Sequence, residues 1–260
     1  MRVFLLGATL ILSLASSALA IDVYVVAGQS NGWRLSSISA YPNRTDQHKI
    51  YYFPMACSSR PTESSLAILN SLHQGTQGAG LAEGLLKCSN DDIVIVQYCV
   101  CGTSLHDPLN WYPGDDPANG VKNDTGLYAS CLKTIASARQ QVEAEGLDWN
   151  VKALFWHQGE SDAINHSAAY EASIRKLFGR FREDLGNDLP IIAGHIRDLD
   201  DQYKAINSAL DAAAASDKNT AVVKTADQPF ESATDVHFKT PGCHEIGRRM
   251  VAAYIEMQKR

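Results

Sequence analysis

The architecture is legible first in Ile21-Asp22-Val23-Tyr24-Val25-Val26-Ala27-Gly28-Gln29-Ser30-Asn31. Its first seven residues are almost continuously apolar and β-branched. That is the composition of a strand covered on both faces, as in parallel sheets, rather than on one. Gly28 then allows a sharp turn. Ser30 follows at the carboxyl end of the strand, where open α/β sheets collect reacting groups, close to the N–H groups of a helix start. A serine hydroxyl alone is a weak nucleophile and needs a base. His237, in Asp235-Val236-His237 just ahead of a helical pattern, is the candidate base.

Further strand-like runs follow at Ile50–Phe53, Ile93–Val100, Val151–Trp156, Leu189–Ile196 and Ala221–Thr225. Helical stripes alternate with them. Cys131, Ile135, Ala138 and Val142 recur at the spacing of one buried helix face. So do Tyr170, Ile174, Phe178, Phe181 and Leu185, and again Ile246, Met250, Ala253 and Met257. Strand alternating with helix predicts a parallel sheet with helices on both faces, an α/β/α sandwich. The stretch Asp107–Thr125, rich in Pro and Gly, reads as a long irregular loop. Its Trp111 and Tyr112 have two readings, an aromatic platform for a sugar ring or anchors that fix the loop.

Residues 1–20 read as a signal peptide: Arg2, an apolar stretch from Phe4 to Leu14, and a small-residue site at Ala18-Leu19-Ala20. The expectation is a secreted or periplasmic protein whose residues 21–260 form one domain, without a membrane partner after processing. No repeat or low-complexity linker divides that stretch. Without Arg2 the chain has 22 basic against 29 acidic residues, which disfavours nucleic acid as a partner. Six cysteines remain, Cys57, Cys88, Cys99, Cys101, Cys131 and Cys243, and at least one disulfide is expected in an exported chain. Cys99 and Cys101 would share a strand face and bond elsewhere. Sequons stand at Asn43, Asn123 and Asn165.

Gly28-Gln29-Ser30-Asn31, Trp156-His157-Gln158-Gly159-Glu160 and the Asp235-Val236-His237 block fall at the start, middle and end of the chain. In that order they resemble the SGNH hydrolases, and among them carbohydrate esterase family 6 and the sialate O-acetylesterase (SASA) domain. The resemblance implies a flavodoxin-like three-layer fold. It also implies a serine esterase that removes O-acetyl groups from carbohydrate of the acetylxylan or O-acetylated sialic acid class. In that scheme Ser30 is the nucleophile and His237 the general base. The backbone N–H groups of Ser30 and Gly102 and the side-chain amide of Gln158 form the oxyanion hole.

The acid is where the chain departs from that pattern. Such enzymes usually carry Asp-x-x-His, whereas here Asp235 stands two residues before His237 and Thr234 three before. Residues two apart in an extended segment point the same way, so Asp235 is the first candidate, Asp227 the second, and a Ser–His pair without an acid the third. His244 rivals His237 as base but falls inside the helical pattern. Gln29, Asn31, Glu160 and Trp111 are expected to bind substrate or support the site, and Asp162 to be a surface or helix-cap acid. The paired carboxylates Glu160 and Asp162 lie too close together to flank a glycosidic bond.

No metal-ligand spacing and no phosphate or dinucleotide fingerprint occurs, so no metal and no cofactor is expected; the Asp115/Asp116/Asn119 loop has the oxygens for calcium but reads first as solvated acids. Two other readings stay open, a broad short-chain carboxylesterase and a catalytically weak carbohydrate-binding module. The oligomeric state is not legible in the chain.

Overall fold

The structure is a computed structural model that describes residues 20–34, 50–53, 67–68, 77–89, 92–112, 114 and 126–260. The expected signal peptide up to residue 19, Cys57, the sequons at Asn43 and Asn123, and the Asp115/Asp116/Asn119 loop lie outside the described residues.

The strands are β1 (Ala20–Gly28), β2 (Ile50–Phe53), β3 (Ala67–Ile68), β4 (Ile93–Cys99), β5 (Asp148–His157), β6 (Ile191–Gly194) and β7 (Thr220–Val223). The helices are α1 (Ser30–Arg34), α2 (Gln77–Cys88), α3 (Gly126–Ala144), α4 (Glu160–Asn165), α5 (Ser167–Leu185), α6 (Asp201–Ala215) and α7 (Thr240–Gln258). One sheet runs in the order β3-β2-β4-β1-β5-β6-β7. Its pairings are parallel except for the short antiparallel β3 at one edge. The five strands β4-β1-β5-β6-β7 reproduce the flavodoxin-like order. Strand β3 had no signal in the sequence, since two residues carry no periodicity.

Two-sided burial of β1 is the physical basis of this arrangement. Val23, Val25 and Ala27 pack on one side with Ile135, Phe178 and Leu210 of α3, α5 and α6. Tyr24 and Val26 pack on the other with Leu81 and Leu85 of α2 and Ile246 and Met250 of α7. An alternating strand could satisfy only one such layer. The three expected stripes face these cores, except that Leu185, Ala253 and Met257 are only partly buried at their margins.

The chain leaves β1 for one side of the sheet and returns through β4 to the other side at β5, so β1 is the topological switch point. Ligand sites open at the carboxyl ends of strands at such a point. No helix among the described residues is long and apolar enough to cross a membrane.

Candidate active site

Gly28 registers with Cys99 of β4 on one side and His157 of β5 on the other. Ser30, Gly102 and Gln158 therefore leave three adjacent strand ends within a few residues of one another. Gly28 has φ 138°, and a Cβ there would lie 2.0 Å from the His157 carbonyl oxygen. Only glycine permits that approach. The turn is fastened on both sides: the Gln29 N–H donates to His157 O at 3.0 Å and the Val100 N–H to Gly28 O at 3.0 Å. Ser30 opens α1, so its N–H belongs to the helix-start donors without an intrahelical acceptor. Gly102 is exposed at φ 69°, with open space where a side chain would stand.

His237 lies on the loop between β7 and α7. That loop closes on itself through Glu231 N–H to His237 O at 2.9 Å, Lys239 N–H to Pro229 O at 2.8 Å, and the Phe230–Phe238 bridge. His237 Nε2 is 3.0 Å from Ser30 Oγ, and its Nδ1 is 2.7 Å from Asp235 Oδ1. The same carboxylate oxygen accepts the His237 backbone N–H at 2.8 Å. That backbone hydrogen bond is the largest influence holding the Asp235 carboxyl below its ordinary range. The carboxylate requires a proton on Nδ1, which leaves Nε2 free to accept one from Ser30.

The competing residues are occupied elsewhere. Asp227 receives two hydrogen bonds from Arg249, at 2.7 and 2.6 Å, and its carboxyl is drawn down to about 2, chiefly by that guanidinium. His244 sits in α7 with Nε2 3.2 Å from Glu83.

Asn31 ties the serine turn to the histidine loop. Its Nδ2 donates to Val236 O at 3.1 Å and its Oδ1 accepts the Phe238 N–H at 3.3 Å, so one amide grips the residues on either side of His237. The second Nδ2 hydrogen goes to Glu160 Oε1 at 2.5 Å. Glu160 is buried, and burial pushes its carboxyl up to about 7. Beside it the buried His157 is held neutral by desolvation, its pKa lowered to about 3. Gln29 is likewise buried, its side-chain oxygen without a hydrogen-bond partner.

Three sequence expectations need correction. Gln158 is not an available oxyanion donor. Its Nε2 donates to Thr103 O at 2.9 Å and to Asp162 Oδ2 at 2.6 Å, so both amide hydrogens are taken. Its Oε1 accepts from the Tyr170 hydroxyl at 3.2 Å. Gln158 instead holds the loop that carries Gly102.

Asp162 is not a surface acid. It is 1 % exposed, both its oxygens accept the Leu105 N–H at 3.0 Å, and burial raises its carboxyl above the ordinary range. Its distance of four positions from Gln158 was the available signal, but a loop-to-helix junction gives that spacing no fixed geometry.

Trp111 is no sugar platform. It is fully buried, edge-on to Tyr98 and Trp156, and its Nε1 donates to Thr103 Oγ1 at 3.1 Å. Tyr112 lies beneath Lys176, with Nζ 5.9 Å from the ring centroid. Cys101 is disulfide-bonded, while Cys88, Cys99, Cys131 and Cys243 take part in no disulfide.

The assembled groups are suited to acyl transfer: a hydroxyl, an imidazole on its proton, a carboxylate behind the imidazole, and backbone donors beside the hydroxyl.

Residues 20–256 match the family described as carbohydrate esterase, sialic acid-specific acetylesterase (SASA). No curated protein matches the chain. Among solved structures, a protein from Arabidopsis thaliana is similar at TM-score 0.65 and 19 % identity, over 91 % of this chain and 98 % of that one. A carbohydrate acetylesterase from Xanthomonas citri is similar at TM-score 0.64 and 17 % identity, over 91 % of this chain but only 56 % of that one. NanS is similar at TM-score 0.64 and 16 % identity, over 94 % and 99 %. At these identities the structural likenesses speak for the fold.

Proposed function

Given that this chain belongs to the SASA family of carbohydrate esterases, we propose that it is a secreted serine esterase that removes O-acetyl groups from carbohydrate through an acyl-Ser30 intermediate. It is a carboxylic ester hydrolase by family. The finer reading rests on one observation above others, the 3.0 Å separation of Ser30 Oγ and His237 Nε2 with Asp235 at 2.7 Å behind the imidazole.

In this reading Ser30 Oγ bonds to the acyl carbon as His237 Nε2 takes its proton. The Ser30 and Gly102 N–H groups donate to the developing oxyanion; losing one such donor costs on the order of 10²–10³ in turnover. His237 returns the proton to the departing sugar oxygen. Water then attacks the acyl-serine with His237 as base, the bond to Ser30 Oγ breaks as His237 returns that proton to it, and acetate is released. Asp235 fixes the imidazole tautomer and stabilises its cationic form. Residues 1–20 act as the signal peptide and 21–260 as one catalytic domain.

The acetyl preference and the carbohydrate class draw support from the family and from the named activity of the Xanthomonas citri neighbour. The test is hydrolysis of p-nitrophenyl acetate by the parent and by Ser30→Ala, with acetate release from acetylated xylan compared with O-acetylated sialic acid. Ser30→Ala is expected to abolish turnover and His237→Ala to lower it about 10²–10⁴-fold. Full activity in Ser30→Ala would overturn the assignment. Turnover of the nitrophenyl ester alone would replace the carbohydrate substrate with a short-chain ester. Mass spectrometry of the exported protein should find Ile21 at its start.

A further inference from the structure

Arg197, in the segment between β6 and α6, reaches across to the loop that carries the proposed base. Its Nη1 donates to Ser232 O at 2.8 Å and also to Asp235 O, and its Nη2 donates to Ala233 O at 2.7 Å. The guanidinium carbon stands 4.1 Å from the centre of the Phe230 ring. Carbonyl oxygens that converge in this way repel one another unless a common donor sits between them. A planar fork with five N–H groups can serve three at once, where an ammonium offers only a point charge.

The Asp235 side chain is 37 % exposed, so burial does not fix it and water competes for its carboxylate. What fixes it is backbone: Arg197 on its carbonyl, and the N–H of His237 on its carboxylate. Arg34 also reaches this loop, donating to Phe238 O at 2.9 Å, and its charge is among those that lower the Asp235 carboxyl. It also pairs with the Glu231 side chain, whereas the Arg197 guanidinium, among the described residues, donates to carbonyls of the segment before His237.

We propose that Arg197 is a positioning residue for the reaction, gathering the carbonyls of residues 232–235 so that Asp235 stays seated on His237. The proposal rests on the Ser30–His237–Asp235 reading and acts through its acid. A carboxylate displaced by a fraction of an ångström no longer holds the imidazole in line with Ser30. Misplacement of about 1 Å costs about 10²-fold in rate.

The experiment measures kcat and KM for p-nitrophenyl acetate across pH in the parent, Arg197→Ala, Arg197→Lys, Asp235→Asn and the Arg197→Ala/Asp235→Asn double variant, with thermal melts of each. Arg197→Ala is expected to lower kcat by about 10- to 100-fold with KM little changed. Its acidic pH limb should move to lower pH, because an imidazole that loses its carboxylate is less basic. Arg197→Lys should recover little. Added to Asp235→Asn, the arginine change should cost nothing further, since both act on one couple.

Losses that multiply in the double variant would overturn the proposal, as would an unmoved pH limb or a rise in KM alone, which would put Arg197 on the substrate. Should Arg197→Ala not fold, Arg197→Lys carries the same cycle with Asp235→Asn. An Asp235→Asn variant of parental activity would instead remove the acid from the underlying reading, an outcome distinct from an impaired Asp235→Asn with additive Arg197 effects.

Discussion

Replacing Glu160 by glutamine should stabilise this protein at alkaline pH and scarcely at all at acidic pH. Glu160 is 3 % exposed, and burial raises its carboxyl from 4.5 to about 7 despite the hydrogen bond from Asn31. Between those values the unfolded chain has released the proton while the folded chain keeps it. Folded stability therefore falls as pH rises, by about 1.4 kcal/mol per pH unit. The loss reaches about 3 kcal/mol near pH 7 and is constant above it.

His157, held neutral down to about 3, acts in the opposite sense: it adds stability as pH rises towards its ordinary value of 6.5. Comparing variant with parent cancels that contribution. Glutamine is neutral throughout and still offers an oxygen to Asn31 Nδ2, so the clamp on the His237 loop is retained. The assay is urea unfolding of parent and Glu160→Gln at several pH values from 4.5 to 8.5. The stability difference should move in favour of the variant by about 3 kcal/mol across that range, with ester hydrolysis retained. Stability curves that run parallel would refute the argument, because they would mean that Glu160 ionises alike in both states.

Trp111→Ala should lower stability by about 3–5 kcal/mol, the usual result of emptying a buried aromatic site, while KM for an acetylated sugar stays within about 2-fold; melting temperature and KM report the two roles separately. Gly28→Ala should cost at least about 2 kcal/mol by chemical unfolding, since the strained φ and the contact with His157 O act together. Asn31→Ala removes the grip on Val236 and Phe238 and should reduce kcat by about 10-fold or more, a smaller loss than that of His237→Ala in the same assay.

What could be read from residues alone was whatever has a local period or a fixed place on a strand. The unbroken run Ile21–Ala27 required cover on both faces, and the stripes of Cys131–Val142 and Tyr170–Phe181 supplied part of it. Ser30 could be proposed from the chain because it follows a strand at the end where such sheets react, and His237 because it stands beside an acid just ahead of a helical pattern. Asp235 was one of three possibilities in the chain; folding places its carboxylate 2.7 Å from the imidazole and Asp227 against Arg249.

Tertiary structure alone decided which polar groups remain free. Gln158 looks like a donor in the chain, and it loses that capacity to Thr103, 55 positions away. Trp111 looks like a loop aromatic until Trp156 and Tyr98 close over it. Arg197 has no signature at all, because its partners are main-chain carbonyls present at every residue. Side-chain periodicity records which face avoids water; a hydrogen bond depends on which atoms folding brings within about 3 Å, and nothing local in a sequence carries that distance.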